Sequence, residues 1–309
     1  MPKIGRLLRE LDTLLLPRKV NQFCPDIYHT TYYRFPDGIK SPKVLTVYDL
    51  IHERFNDGSG HIAEALENKK RCIESSDKVI AISESTRKDL IEHYAVNPEK
   101  VVVVHLAAGD AFKPASKDDI RGVKEKYKID KPFLLYVGQR GGYKNFEVLL
   151  KAFGAWKMNS EFELVCVGGK PWNNDEIDFM GRHGLGGKVK LLGYLADEEL
   201  MGLYSAAAVF VYPSKYEGFG IPLLEAMSCG TPVITCNNSS LCEIAGIAAE
   251  YFDAGSAEQL RGALDKVLED KALRDGMIEK GFKIQKEFSW DNTARKTLAV
   301  YKDIVSSAR

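Results

Sequence analysis

With 309 residues, 45% of them hydrophobic, the chain is long enough for two domains with cores of their own. Its 43 Lys and Arg balance 43 Asp and Glu, which leaves no basic excess for a general nucleic-acid binder but still allows a local basic pocket. The six cysteines (Cys24, Cys72, Cys166, Cys229, Cys236, Cys242) form no CxxC pair; they exclude a zinc or disulfide framework and suit a reduced, cytoplasmic protein. No secretory signal is visible and no apolar run reaches the ~18 residues of a membrane span.

The first periodic stretch, Ile4–Pro17, sets leucines at helical spacing with arginines between them. It reads as a helix packed on its own domain or as a basic amphipathic helix touching a membrane surface. Asp26–Thr30, Val44–Asp49, Asp77–Ile82 and Val101–His105 read as strands. Ser83 or Ser85 can cap a helix through Tyr94, which Asn97-Pro98 breaks. Strands alternating with helices predict an α/β fold with a parallel, doubly wound sheet. Ligands in such sheets lie beyond the carboxyl ends of the strands, so Asp49 and His52, just after the second strand, are site candidates. A lone histidine there also serves as a plain hydrogen-bonder, and His29 and Thr30 are read with the same reserve. The turn Gly109–Pro114 and a charged helix Asp118–Lys131 mark the passage to a second domain.

In the second half, Phe133–Val137, Phe162–Val167, Val189–Leu192, Val209–Val211, Val233–Cys236 and Ala249–Phe252 read as six strands with crossover-length connections. A helix capped by Asp197 precedes the fourth strand. The first strand runs into Gly138-Gln139-Arg140-Gly141-Gly142-Tyr143-Lys144. Its glycines permit close approach to a ligand; Arg140 can grip a phosphate with two N–H bonds, and Lys144 adds a point charge at a helix start. The fourth strand runs into Glu217-Gly218-Phe219-Gly220-Ile221-Pro222, a glycine turn opening a helix that ends at Gly230, and Glu225 follows Glu217 by eight residues. A helix N-terminus favours a phosphate. Beside it, Glu225 can take a pair of ribose hydroxyls and Glu217 the hydroxyls of a sugar. On residues alone, a helix-entry turn with two solvated glutamates remains the other reading. Gly168–Trp172 borders a nucleotide base or is only a turn; Asn237–Glu243 meets phosphate oxygens or only caps the helix beginning near Leu241. The tail helix carries Trp290, Ala294, Leu298 and Tyr301 on one face.

The run Glu217–Met227 followed by Gly230–Ile234 resembles the E-x7-E signature of retaining GT-B glycosyltransferases, family 4 in particular. The resemblance implies two Rossmann-like domains, with Glu217 on the donor sugar and Glu225 on the ribose. It places Lys144, and an arginine displaced here from position 139 to Arg140, on the donor diphosphate. Gly138, Gly218, Phe219, Gly220 and Ile221 complete the implied donor site. Asp49 matches the family aspartate; Tyr48 stands where a histidine is usual, and His52 one turn on is the candidate substitute. Against that family the chain begins about two strand–helix units late, so the expected domains are an incomplete N-terminal one (1–115), a complete nucleotide-sugar domain (116–288), and a helix crossing back (289–309).

The implied activity is a retaining transfer of a hexose from a nucleoside-diphosphate sugar to a glycan or lipid-linked acceptor. The loops at Arg140–Asn145 and Tyr48–Glu53 resemble bacterial surface-polysaccharide enzymes, many of them mannosyltransferases, which makes GDP-mannose the favoured donor and a UDP-sugar the alternative. No D-x-D motif occurs, so neither metal nor cofactor is expected. A rival reading is a non-catalytic or split nucleotide-sugar-binding module completed by a partner chain. The expected location is cytoplasmic, with peripheral contact at the inner membrane face left open.

Overall fold

The computed structural model describes residues 15–33, 37–55 and 60–307. It divides into two α/β units, Met1–His105 with Trp290–Arg309, and Leu106–Ser289.

In the first unit, helix α1 (15–23) precedes β1 (Tyr28–Thr30), β2 (Lys43–Val47), α2 (Ile51–Arg54), α3 (Gly60–Ser75), β3 (Lys78–Ala81), α4 (Glu84–Tyr94) and β4 (Val101–Val103). Most of the predicted N-terminal helix lies outside the described residues. The strands pair in parallel in the order β1-β2-β3-β4. The apolar runs within β2 and β3 follow from burial on both faces. Leu45, Val47, Val79 and Ala81 pack with Leu90 on one side, while Val44, Ile80 and Val104 pack with Val300 and Ile304 of α13 (Trp290–Ser307) on the other. Of the face read in the sequence, Trp290 and Leu298 are exposed while Tyr301 reaches the sheet, beside Val300 and Ile304, which are one helical turn apart. Thr293 anchors the start of α13 by donating to the carbonyl of His105 at 2.6 Å. Ile304→Ala should therefore lower the unfolding free energy of this unit by roughly 2–4 kcal/mol. Urea unfolding checks this; a loss under about 0.5 kcal/mol, the size of a surface substitution, would mean that α13 is not docked.

The second unit holds α5 (Lys117–Lys126), β5 (Phe133–Val137), α6 (Phe146–Gly154), β6 (Glu163–Val167), α7 (Asn174–Arg182), β7 (Val189–Leu191), α8 (Asp197–Ala206), β8 (Val209–Tyr212), α9 (Ile221–Ser228), β9 (Val233–Cys236), α10 (Ser239–Ala245), β10 (Ala249–Phe252), α11 (Ala257–Glu269) and α12 (Lys271–Gln285). It begins earlier than the expected 115/116 division. Phe112 lies edge-on to Tyr204 of α8, and the amide of Ala115 donates to Ser205, so residues 106–115 join this core. The sheet is parallel, in the order β10-β9-β8-β5-β6-β7. Chain direction across the sheet therefore reverses between β5 and β8, and in such sheets the crevice beyond the carboxyl ends at that reversal is where ligands bind. Asp197 is the first helical residue of α8 rather than its cap, which is Ala196; Asp197, Glu198 and Glu199 favour the helix N-terminus through charge instead. Among the described residues no helix is long and apolar enough to cross a membrane.

Candidate functional site

The two glycine turns identified in the sequence follow β5 and β8, the two strands flanking the reversal. Gly138 and Gly220 take φ of +139° and +111°, values that side-chain-bearing residues rarely adopt. Gly220 turns the chain directly into α9, whose second residue is Pro222, a position where its missing N–H costs nothing. Asn145 closes the first turn in a left-handed conformation (φ +57°) that asparagine tolerates. Its buried amide donates to the carbonyls of Pro213 at 2.9 Å and Ala254 at 2.7 Å, tying three segments together. Ser240 donates to the carbonyls of Glu217 and Phe219, and Ser239 accepts from the amide of Glu217. The segment Asn237–Glu243 thus braces the glutamate turn, and α10 begins at Ser239, earlier than expected, with no side-chain cap.

These braces bring Lys144 and Glu217 together. Lys144 Nζ lies 2.7 Å from Glu217 Oε1, with side chains 15% and 10% exposed. Tyr212 OH donates to the same oxygen at 2.8 Å and accepts from Lys144 at 3.1 Å. Burial drives the Tyr212 phenol well above its ordinary pKa, so it remains a neutral donor. The result is one cation and one anion with a fixed geometry beside the N-terminus of α9. Glu225, on α9, accepts from Tyr204 OH at 2.9 Å. Burial pushes its carboxyl up to about 7; the Tyr204 bond opposes that rise and Asp197 adds to it. Gly218 lies within the buried turn and Ile221 opens α9, while the Phe219 ring is buried against Phe288. Phe219 can therefore offer a ligand only its backbone.

Arg140 departs from the expected phosphate grip. Its guanidinium turns to Glu176 of α7, Nε to Oε1 at 2.9 Å, and lies 4.3 Å from the centre of the Trp172 ring. Asp49 and His52 belong to the first unit. Asp49 accepts from the amide of Ile51 at 3.0 Å, and His52 is exposed. The buried charge there is one the sequence reading passed over: Glu53, paired with Lys69 at 2.8 Å and accepting from Tyr94 at 2.6 Å. Also missed were Tyr212, Tyr204 and Glu176, while Ser239 and Ser240, in the segment singled out, bond the backbone of the glutamate turn. Only the Asn173-x-x-Glu176 capping pattern gave a signal for any of the missed residues.

A parallel sheet with two glycine turns at its reversal, a lysine–glutamate pair and a second glutamate on the following helix is the arrangement of a GT-B glycosyltransferase. Residues 117–284 match the family described as glycosyl transferases group 1, and residues 2–107 match glycosyltransferase family 4. The chain belongs to the group 1 glycosyltransferases and is a transferase of sugars. It is 30% identical to the O-antigen chain mannosyltransferase B of Escherichia coli, over 96% of this chain and 80% of that one. It is 28% identical to an Escherichia coli serotype-specific mannosyltransferase over 88% of this chain, which spans only 35% of that relative's length. Among solved structures, the lipopolysaccharide glycosyltransferase WaaG superposes with a TM-score of 0.76 at 19% identity, covering 93% of this chain and 80% of its own. HepE from Anabaena, in complex with UDP and glucose, superposes at 0.79 and 19% identity, covering 94% and 82%.

Proposed function

We propose that the second unit binds a nucleoside-diphosphate sugar at the β5/β8 reversal. The chain then passes the hexose, with retained configuration, to a hydroxyl of a glycan or lipid-linked acceptor. The observation that carries this reading is the Lys144–Glu217 pair, 2.7 Å apart at the mouth of α9. Lys144 and the α9 N-terminus meet the diphosphate and hold the negative charge that grows on it as the glycosidic bond breaks. Glu225 accepts the ribose hydroxyls, and Glu217 accepts from the donor sugar. The acceptor oxygen bonds to the anomeric carbon on the face the diphosphate leaves. Its proton passes to a diphosphate oxygen, so no protein nucleophile, metal or cofactor is required. Asp49 and His52 are the acceptor-side candidates. The names of the two Escherichia coli relatives favour mannose and hence GDP-mannose; the UDP of HepE supports a UDP-sugar as the alternative. Exposed Leu15, Leu16 and Phe23 beside Arg18 and Lys19 on α1 support peripheral contact with a membrane holding a lipid-linked acceptor.

Thermal unfolding with GDP, UDP, ADP and their sugars tests the donor site. A ligand at about a hundred times its Kd should add roughly 2.7 kcal/mol, or about 5–10 °C. Glu225→Ala should lose the shift, and Lys144→Ala should lower it more for the free diphosphates than for their sugars. No shift with any nucleotide would remove the donor site from this crevice.

A further inference from the structure

Arg140 sits in the turn after β5, where a cation could meet a diphosphate, yet every part of its head group is already committed. The Nε donates to Glu176 Oε1 at 2.9 Å, and Nη2 reaches Glu176 Oε2 at 3.4 Å and the carbonyl of Pro171 at 3.1 Å. Further bonds run to the carbonyls of Gly168 and Lys170. One face of the guanidinium lies on Trp172, 4.3 Å from the ring centre, and Phe146 is 5.9 Å away. The Arg140 and Glu176 side chains are 6% and 13% exposed. Glu176 is itself fixed, because it accepts from the amide of Asn173 while Asn173 accepts from its own amide in the capping box of α7. The backbones of the two turns are in contact around this pair. A Cβ on Gly168 would lie 3.5 Å from the carbonyl oxygen of Gly138, and one on Gly169 only 2.9 Å from Arg140 Nη1. Removing either partner of a buried ion pair leaves the other charge uncompensated, so Arg140 has no inexpensive way to swing onto a ligand.

We infer that Arg140 and Glu176 form a clamp locking the turn after β5 against the loop after β6, and that both position the nucleotide site rather than ligate phosphate. The inference rests on the nucleotide reading above and deepens it. The clamp sets the two walls at the ends of adjacent strands, Gly138–Lys144 and Gly168–Trp172. Of the two cations only Lys144 is placed to meet the diphosphate, and its ammonium is held by Glu217 and Tyr212 rather than by the clamp.

Calorimetric titration with GDP and GMP, and with UDP and UMP in parallel, separates the two roles. Arg140→Lys and Glu176→Gln should each weaken diphosphate and monophosphate by the same factor, about ten- to a hundredfold. Their stoichiometry should match the unaltered protein, because a folding defect lowers the active fraction and not the affinity. The double variant should bind no worse than the weaker single one, since both break one unit. Lys144→Ala should instead shrink the preference for diphosphate over monophosphate. If Arg140→Lys shrinks that preference while Glu176→Gln leaves it intact, Arg140 is a phosphate ligand and the inference fails. Unchanged affinity in both variants also overturns it, and Glu176→Gln, which keeps the side-chain shape, provides that test should Arg140→Lys not fold. Failure of the unaltered protein to bind any of the four nucleotides overturns the nucleotide reading and the clamp together.

Discussion

Replacing Lys144 by alanine should lower kcat/KM for the sugar nucleotide by about 10²–10³-fold, most of it in kcat. A fixed donor aimed at a developing charge is worth roughly that factor, because it needs no reorganisation when the charge appears. Lys144 has the required fixity: its ammonium is mostly buried and held between Glu217 and Tyr212. The loss has a second source. Without Lys144, the Glu217 carboxylate faces the incoming diphosphate with no cation between them, and like charges at close range repel. Glu217→Gln removes that repulsion. The Lys144→Ala/Glu217→Gln double variant should then be less impaired than the product of the two single losses, as expected for neighbours sharing one interaction. Steady-state kinetics with saturating acceptor decides the case. A rise in KM at unchanged kcat would show that Lys144 binds ground state and transition state alike and would remove it from the chemistry.

The reach of the sequence follows from what each signal depends on. Strands such as Phe133–Val137 and Val209–Tyr212 are legible because a parallel strand covered on both faces must be apolar throughout, and glycine or proline marks its end. That the turns carrying Lys144 and Glu217, 73 residues apart, share one sheet edge is legible because each leaves a strand; their ion pair is not. Sheet topology then delivers both turns to one crevice. The fate of Arg140 was not legible. Its partner Glu176 lies in no ligand motif, and the contact depends on two loops stacking backbone to backbone. The buried tyrosines were hidden for another reason. Tyr204 and Tyr212 fit their helix and strand as apolar residues, and only the folded sheet shows where each hydroxyl ends. On α13 the sequence shows a face of Trp290, Ala294, Leu298 and Tyr301, and only the folded sheet shows that Val300 and Ile304 pack there beside Tyr301.

Tyr204 leads to the second large effect, a nucleotide affinity that changes with pH around neutrality. Burial raises the Glu225 carboxyl from its ordinary 4.5 to about 7, and the groups facing it are Tyr204, Asp197 and Cys229. Ribose hydroxyls donate to the carboxylate, so binding favours the ionised form and expels the proton. Below pH 7 the Kd should rise by about tenfold per unit as the proton competes; above it the affinity should be flat. At pH 8, Glu225→Gln should lose about 10–100-fold, the worth of hydrogen bonds to a charged acceptor, and should show no such slope. Tyr204→Phe removes the one bond that holds the carboxyl down, so its midpoint should move up by about one to two units. Stability must run the other way. The folded, unliganded state holds the Glu225 proton more tightly than the unfolded chain between pH 4.5 and about 7. Across that window the contribution of Glu225 to stability falls as pH rises, and Glu225→Gln should abolish the fall. Opposite slopes for affinity and stability, both removed by one substitution, distinguish a carboxylate held ready for a diol from general acid unfolding. If affinity instead rises toward acid, Glu225 meets its ligand as a protonated donor and the ribose assignment is wrong.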